Sequence, residues 1–411
     1  MATVKPFKAL RPEPGLTSKI ASLPYDVVSR EEALAYSRGN PFSFYHVVKA
    51  EIDLPPETDE HSKAVYKKAK ENFDRLVKNR ILIQDPKECL YIYRQKMKEH
   101  VQTGIVACIA VDEYISNTVK KHELTREEKE KDRTNHIAAL KANTGPVFLI
   151  YRGKNEIDEI IEKITAGKPE ISFCCDFEVT HEYWILDDPG LIDKIVNHFK
   201  QVPALYVADG HHRLAAAVNV ANMCREKNKD FTGHEEFNFA MGIIFPHNQI
   251  KILPYYRALK DVDIIDGERY LSVLKDEFRV EHSDSGIPGK KGILCMYMEG
   301  RWFSLELKNP DDVAGTADKL DVSILQDKIL SKIFGIEDPR KDTRLDFIGG
   351  NKHPDELRKL VDSGAYKIAF SLFPTSVNDL FEISDVGGIM PPKSTWFEPK
   401  LRSGIFVHLL E

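Results

Sequence analysis

The decisive stretch of this chain is Ala204-Leu205-Tyr206-Val207-Ala208-Asp209-Gly210-His211-His212-Arg213, which joins an apolar, strand-like run to the alanine-rich run 214–220. A strand that turns sharply into a helix through glycine leaves backbone N–H groups exposed at the positive end of the helix dipole. Such an end binds anions readily. We therefore interpret residues 209–213, called the glycine corner below, as a phosphate-binding turn.

The side chains of the glycine corner favour the same interpretation. Gly210 lacks the Cβ that would hold a phosphate away from the backbone, and Arg213 carries a planar guanidinium that matches phosphate oxygens. His211 and His212 add two polar rings, and Asp209 is the only acidic residue of the stretch. The plainer alternative is that Asp209 is only a helix N-cap and Gly210 only a turn residue.

Composition limits the class of protein. The chain has 411 residues, enough for two or more domains, and 58 Lys plus Arg against 64 Asp plus Glu give a formal charge of -6. This balance does not favour a nucleic-acid partner. Residues 1–11 lack the apolar core of a signal peptide, and no apolar run reaches the length of a membrane span. We therefore expect a cytoplasmic protein with neither a nucleic-acid nor a membrane partner.

Cysteine usage indicates a reducing environment. The six cysteines show no CxxC spacing, so neither a zinc site nor a disulfide framework is predicted. We expect reduced and mostly buried thiols.

Periodicity predicts an α/β fold of mixed α+β character. Ser29 and Glu32 predict a capping box that begins a helix, which places Asp26 in the loop before it. A charged helix is predicted over 61–79, paired strands over 90–93 and 101–111, and a buried strand over 237–245. In open α/β sheets, ligands collect at the carboxyl ends of strands, where the glycine corner is expected to lie.

Two further segments carry groups suited to a site. His122 and Glu123 precede a second predicted capping box, formed by Thr125 with residue 128, and Asp132-Arg133 follow one turn later. The simplest interpretation of this charged stretch is a solvated helix face, so these residues are candidates of second rank.

The last candidate segment is Pro391-Pro392-Lys393-Ser394-Thr395, in which two prolines stiffen the approach to an ammonium and two hydroxyls. These groups suit a carboxylate or a phosphate. The alternative is a rigid surface loop.

Taken together, these segments resemble a known family. The glycine corner, residues 390–395, Pro24-Tyr25-Asp26-Val27, residues 122–126 and Asp132-Arg133 resemble a family of ParB/sulfiredoxin-like proteins catalogued as a conserved domain of unknown function. The resemblance extends over nearly the whole chain. This family is similar to the free L-serine kinases, which share the Asp-Gly-His-His-Arg turn and a C-terminal Pro-Lys-Ser/Thr-Thr stretch.

The resemblance implies an activity and a role for each segment. It implies a kinase that transfers a phosphoryl group from ATP, or from ADP, to free L-serine or a similar small hydroxyl compound. The ADP-dependent serine kinases carry Pro-His-Glu-Gln where this chain has residues 24–27, so Asp26 becomes the base by analogy, with His211 and His212 as further catalytic residues. Residues 209–213 would hold the nucleotide and residues 393–395 the substrate carboxylate. Mg²⁺ is expected on Asp209 or Glu123.

The same resemblance implies a domain organisation. Residues 1–260 would form a ParB/sulfiredoxin-like nucleotide-binding core with large insertions, and residues 261–411 a C-terminal α/β lobe whose last segment returns to the active site. A change of character at 261–266 marks the expected boundary.

Two other functions remain open at this point. One is a ParB-type nucleotide-binding switch that acts on a protein partner. The other is a sulfiredoxin-like, ATP-dependent repair enzyme, which would need a reactive cysteine where His211 and His212 stand.

Overall fold

The computed structural model of this protein describes residues 1–175, 178–262 and 267–411. The fold is mixed α/β, as predicted. The helices are α1 (Thr17–Ile20), α2 (Arg30–Ser37), α3 (Tyr45–Val48), α4 (Lys63–Lys78), α5 (Val111–Ile115), α6 (Glu127–Leu140), α7 (Asn155–Thr165), α8 (Pro189–Phe199), α9 (His211–Lys227), α10 (Gly267–Glu277), α11 (Asp321–Leu325), α12 (Lys332–Phe334), α13 (Pro354–Asp362) and α14 (Val377–Asp385).

The strands follow the same chain order. They are β1 (Leu10–Pro12), β2 (Leu82–Gln84), β3 (Leu90–Met97), β4 (His100–Ala110), β5 (Val119–Lys120), β6 (Ala142–Asn143), β7 (Val147–Tyr151), β8 (Ile171–Cys175), β9 (Val179–Leu186), β10 (Leu205–Asp209), β11 (Phe239–Pro246), β12 (Lys251–Leu253), β13 (Tyr255–Leu259), β14 (Phe278–Ser283), β15 (Ile293–Met298), β16 (Arg301–Leu307), β17 (Leu345–Gly349), β18 (Ile368–Ser371), β19 (Trp396–Glu398) and β20 (His408–Leu409).

The chain divides into two compact units. The first comprises Met1–Lys121, Thr125–Ile250 and Pro399–Glu411, and the second comprises His122–Leu124 and Lys251–Glu398. The domains expected at 1–260 and 261–411 remain a prediction, and residues 263–266 of the expected boundary lie outside the described residues.

A mixed sheet forms the centre of the first unit. Its strand order is β5-β10-β7-β11-β4-β3-β9-β8. The central strand β7 runs parallel to β11 and antiparallel to β10. Strands β3 and β4 pair antiparallel, which confirms the predicted strand pair. Apolar side chains of these strands form the main core cluster, so the glycine corner at the end of β10 is fixed to a buried sheet.

Capping boxes were predicted at the starts of helices α2 and α6, and the first prediction is confirmed whereas the second is wrong. Helix α2 begins after Ser29, whose capping box with Glu32 is present. Helix α6 has Arg126 at its N-cap and no side-chain cap. The Thr125 hydroxyl instead donates to Glu130 at 2.6 Å. The predicted Thr125 capping box is therefore wrong, because a carboxylate one turn into the helix takes the hydroxyl.

The second unit contains an antiparallel sheet with the order β14-β16-β15-β18-β13-β17. Buried aromatic and aliphatic side chains of β13, β15 and β18 pack with α13 to form a core of its own. The short strand β12 pairs with β19.

The expectation for the cysteines is partly wrong. The described residues include all six cysteines and form no disulfide, but only Cys89, Cys108 and Cys295 are buried, whereas Cys174 is exposed. Cys174 lies on β8, the edge strand of its sheet, where alternate side chains face solvent. Within the described ranges, no helix is both long enough and apolar enough to cross a membrane.

Candidate functional site

The glycine corner has the strand–glycine–helix geometry that its sequence predicts. Strand β10 ends at Asp209, and Gly210 is the N-cap of α9 with a φ of 92°. A Cβ at Gly210 would lie 3.0 Å from the Cζ and Nε atoms of Arg213. The left-handed φ and this close approach both require glycine. The space freed by the missing Cβ is therefore occupied by Arg213, and not left open as the sequence argument assumed.

The N-cap of α9 is a glycine, which has no side chain that could cap the helix. The helix has 17 residues, all of them described, and no acidic residue in its first turn. Asp209 Oδ1 accepts a hydrogen bond from the backbone N–H of Gly210 at 2.8 Å, so the alternative that Asp209 serves as the N-cap is wrong. The positive end of the helix dipole thus has no protein anion in its first turn.

Two cations surround the single carboxylate of the corner. Lys400 Nζ lies 3.0 Å from Asp209 Oδ2, and Arg213 Nη2 lies 3.8 Å from Asp209 Oδ1. Arg213 also donates to the carbonyl oxygen of Pro146. The buried Arg213 Nε has no hydrogen-bond partner in the described part of the chain. The corner therefore carries a net positive charge and one N–H that an anion could satisfy.

The two histidines of the corner differ in exposure. His211 is 5% exposed, whereas His212 is only partly buried. Burial lowers the pKa of His211 to about 3, so its ring is neutral at physiological pH. The positive charge at this corner comes from Arg213 and Lys400 and not from His211.

A small cavity connects Arg213 with two other candidate segments. Its lining includes Tyr25, Arg133, His136 and Arg213. The guanidinium carbon of Arg133 lies 3.9 Å from the centroid of the Tyr25 ring, a cation–π contact. The Tyr25 hydroxyl is buried without a hydrogen-bond partner in the described residues. Burial and the charge of Asp26 raise its pKa well above the ordinary tyrosine value, so it keeps its proton.

A larger cavity of about 500 Å³ shares Tyr25, Arg133 and His136 with the small one. Asp26 and Asp132 also line it, and Asp26 is exposed. Within the first unit, the structure thus brings the Asp26 loop, the Asp132-Arg133 pair and Arg213 into two adjoining cavities.

Asp132 holds Arg133 in place. Its carboxylate accepts from the Tyr66 hydroxyl at 2.7 Å and from Arg133 Nε at 2.8 Å, and His61 Nδ1 lies 3.1 Å away. Burial opposes the charged form, but Arg133, Tyr66 and His61 outweigh it and hold the pKa of Asp132 below its ordinary value. Asp132 therefore stays ionised and fixes the guanidinium over the Tyr25 ring.

His136 is a neutral wall of both cavities. Its Nε2 lies 3.0 Å from the carbonyl oxygen of Val47, so this nitrogen donates a proton and Nδ1 is an acceptor. Burial and the nearby Arg133 lower the pKa of His136 to about 4.

The other candidate residues belong to the second unit. His122 Nε2 lies 3.5 Å from Thr395 Oγ1, so two of the candidate segments meet here. The Ser394 hydroxyl donates to the carbonyl oxygen of Pro391 at 2.6 Å, and Lys393 Nζ lies 5.3 Å from the centroid of a tyrosine ring. The predicted roles of His122, Glu123 and residues 393–395 stay predictions.

Residues 4–323 match a family described as "Protein of unknown function (DUF1015)". The chain belongs to the DUF1015 family. A search of the curated proteins finds no match for this DUF1015 protein.

Three solved structures illustrate what the DUF1015 chain is similar to. "Free serine kinase in complex with AMP" has a TM-score of 0.38 at 14% identity, covering 71% of this chain and 86% of that one. A conserved hypothetical protein from Pyrococcus furiosus has a TM-score of 0.37 at 17% identity, with coverage of 74% and 95%. "SbnI with C-terminal truncation from Staphylococcus aureus" has a TM-score of 0.37 at 10% identity, with coverage of 72% and 85%.

Sequence reasoning missed three side chains at the site of this DUF1015 protein. Tyr25 precedes the predicted Asp26 in the chain, so this position next to a predicted site residue could have indicated it. His136 lies one turn beyond Asp132-Arg133 on the same helix, so its helical spacing was a weak indication that it lies on the same face. Lys400 is far from the glycine corner in the chain, and only the tertiary structure brings its ammonium to Asp209.

Proposed function

We propose that this DUF1015 protein is a small-molecule phosphotransferase. It transfers a phosphoryl group from ATP, or from ADP, to free L-serine or a similar small hydroxyl compound. When the acceptor is L-serine, the product is O-phosphoserine. The observation that carries the proposal is the uncapped N-terminus of α9 with Arg213 and Lys400 beside it. The same proposal includes a ParB/sulfiredoxin-like nucleotide-binding core and a cytoplasmic location. It also includes the lack of a nucleic-acid or membrane partner.

The glycine corner takes the nucleotide phosphates. The first N–H groups of a long helix and its dipole favour a phosphate, and a fixed guanidinium stabilises the charge that spreads over the transferring group. Arg213 is fixed by its bond to Pro146 and keeps its Nε–H available. Lys400 pairs with Asp209 in the absence of a ligand and can turn its ammonium toward phosphate when one binds.

The Asp26 cavity takes the acceptor. Asp26 is an exposed carboxylate on the wall of a cavity that is large enough to admit a small amino acid. A carboxylate within reach of the attacking hydroxyl orients it and finally accepts its proton. Arg133 supplies a fixed positive charge in the same cavity, held by Asp132. By the resemblance, Lys393, Ser394 and Thr395 bind the substrate carboxylate.

The Mg²⁺ expected on Asp209 or Glu123 stays a prediction. Mg²⁺ is usually bound through one or two carboxylates together with substrate phosphates. Asp209 Oδ1 accepts from the Gly210 N–H and Oδ2 pairs with Lys400, but each carboxylate oxygen has two lone pairs, so these contacts do not exclude a metal. We derive no step through Mg²⁺.

The test is a product assay. The protein is incubated with magnesium and either ATP or ADP and a panel of free hydroxy compounds that includes L-serine, and phosphorylated products are identified by mass spectrometry. O-phosphoserine, or another phosphorylated acceptor, is the expected result. Nucleotide binding by calorimetry without any phosphorylated acceptor would overturn the proposal in favour of the nucleotide switch.

A matched pair of variants tests the assigned base. Asp26→Asn removes a carboxylate from the cavity and should lower kcat at least about 100-fold, the size of a general-base contribution. Glu57→Gln removes an exposed carboxylate elsewhere in the same unit and should leave kcat unchanged. Equal activity of Asp26→Asn and the parent protein would remove Asp26 from the mechanism.

A further inference from the structure

A cysteine, a histidine, a tyrosine and an arginine meet on one face of the first unit's sheet, outside the site described above. Cys175 Sγ lies 3.0 Å from His181 Nε2 and 2.9 Å from the guanidinium Nη2 of Arg402. The other ring nitrogen of His181 accepts from the Tyr93 hydroxyl at 2.5 Å. These residues stand on the adjacent strands β8, β9 and β3, with Arg402 on the C-terminal segment.

The proton positions in this cluster follow from the chemistry of its members. Burial raises the pKa of Tyr93 far above the ordinary value, so its hydroxyl is protonated. Burial and Arg402 lower the pKa of His181 to about 3, so the ring is neutral and carries one proton. Since Nδ1 accepts from Tyr93, that proton is on Nε2 and is directed at the sulfur. A guanidinium has no acceptor, so Arg402 also donates to the sulfur.

Among the described residues, His181 and the positively charged Arg402 both donate a hydrogen bond to the sulfur. Donors and cations of this kind favour the thiolate over the thiol. A described contact opposes this, because Cys175 Sγ also lies 3.5 Å from the carbonyl oxygen of Val179 and could donate to it as a thiol. That contact is longer and uncharged, so the two donors outweigh it.

We propose that Cys175 is a reactive thiolate whose modification by a peroxide forms a sulfenate. The thiolate sulfur attacks one oxygen of hydrogen peroxide, an S–O bond forms and the O–O bond breaks. The second oxygen leaves as hydroxide and takes the proton of the new S–OH group, so the products are the sulfenate and water. The sulfur is oxidised by two electrons and the peroxide is reduced by two. This inference does not depend on the proposed kinase activity.

The neighbouring Cys174 sets the fate of the sulfenate. Successive side chains of a strand point to opposite faces of the sheet, so the thiols of Cys174 and Cys175 on β8 point apart. Cys174 is exposed, whereas Cys175 is only partly exposed. Cys174 is therefore poorly placed to condense with a sulfenate on Cys175, and we expect the sulfenate to persist.

Alkylation rates test the thiolate. An ordinary thiol is only about 3% ionised at pH 7, so a stabilised thiolate reacts at least about tenfold faster with iodoacetamide. We expect Cys175 in the full chain to be alkylated at least about tenfold faster than the more exposed Cys174, followed by site-resolved mass spectrometry. Equal rates, or a faster Cys174, would overturn the proposal.

Two variants separate the assigned donors from mere packing. Tyr93→Phe keeps the ring but removes the proton that fixes the His181 tautomer, and Arg402→Gln removes the charge at the sulfur. Both should slow alkylation of Cys175 several-fold and leave the rate at Cys174 unchanged. Protection of the buried Cys108 reports that each variant is folded. Unchanged Cys175 rates in both folded variants would overturn the assignment.

A peroxide experiment tests the product. The full chain is treated with hydrogen peroxide in the presence of dimedone, and peptides are mapped by mass spectrometry. A dimedone adduct on Cys175 that is absent in Cys175→Ser is the expected result. An adduct on Cys174 alone, or a disulfide between the two cysteines in place of an adduct, would overturn the proposed persistent sulfenate.

Discussion

The glycine corner and the segment 391–395 are both anion-site candidates by sequence, yet the structure builds them differently. At the corner, a helix of 17 residues begins without a side-chain cap, and Arg213 and Lys400 add positive charge. In the second segment, the Ser394 hydroxyl donates to the carbonyl oxygen of Pro391, and the described residues 396–411 that follow contain strands and no helix. The corner can donate hydrogen bonds to a ligand, whereas a hydroxyl of the segment 391–395 already donates to a backbone carbonyl of the same segment.

The buried arginines of the two units show the same contrast. Arg213 lines a cavity and keeps one N–H without a partner among the described residues. Arg257, in the second unit, donates to the carbonyl oxygens of Tyr255, Pro392 and Lys393. Burial lowers the pKa of Arg257 to about 9. A buried cation beside a cavity therefore indicates a site, while one surrounded by carbonyl oxygens fastens loops together.

Loss of Arg213 should have the largest effect. Arg213→Ala removes a fixed charge-stabilising donor, and such a loss costs about 100- to 1000-fold in kcat. Steady-state phosphotransfer assays measure it, with Arg225→Ala on the far end of α9 as the arginine control. Because Arg213 is buried, circular dichroism must show that the variant is folded. A folded Arg213→Ala variant with parental kcat would contradict the assignment of the glycine corner as the ligand site of the two segments.

Acid should destabilise the first unit through His136. Its pKa is about 4 in the folded protein, against about 6.5 for a free histidine, so the folded state binds the proton more weakly. The stabilisation is complete above pH 6.5 and is lost as pH falls toward 4, up to about 3 kcal/mol. Urea unfolding at several pH values measures this, and His136→Gln should flatten the dependence between pH 6.5 and 4. An identical slope in the variant would contradict the assignment.

The second unit should respond to pH in the opposite direction through Asp321. Burial raises the pKa of this carboxyl from 3.8 to about 6. The protonated form is thus favoured by folding, and stability is greatest below pH 3.8 and falls as pH rises through 6, by up to about 3 kcal/mol. Asp321→Asn keeps the shape without the charge and should raise the melting temperature at pH 8 but not at pH 4. A variant that is less stable at pH 8 would show that the charge is needed.

Gly210→Ala should have a smaller effect on the corner. A left-handed φ costs a residue with a Cβ about 1–2 kcal/mol, and the new Cβ would press on the Arg213 guanidinium. We expect lower thermal stability and weaker nucleotide binding by calorimetry. Gly39→Ala is the control, since Gly39 also has a positive φ but has nothing within 4 Å of its added Cβ. Equal nucleotide affinity in both variants would separate Gly210 from ligand binding.

Lys393→Ala should have the smallest effect on activity. If this ammonium binds the substrate carboxylate, the acceptor KM rises about tenfold while kcat is kept, because the interaction is equal in ground and transition states. Lys367→Ala, in the same unit, is the lysine control. Parental KM in Lys393→Ala would leave the segment 391–395 a purely structural loop.

Local signals explain which parts of the fold were predictable. The strand, glycine and helix around residue 210, the Ser29 capping box and the strands β3 and β4 all follow from periodicity within a few residues. The Thr125 cap was wrong because Glu130 competes for its hydroxyl across one helical turn. Whether a thiol on β8 is buried could not be read from its neighbours, since it depends on the place of β8 at the sheet edge.

The sequence by itself determined the mixed α/β class, the glycine corner and the candidate residues Asp26, Asp132, Arg133 and Arg213, because these depend on neighbours in the chain. Only the tertiary structure decided that Arg213 fills the space beside Gly210 and lines a cavity with Tyr25, and that Lys400 pairs with Asp209. It also decided that Cys175 meets His181 and Arg402. Burial and long-range charge pairing set these properties, and both depend on residues that are far apart in the chain.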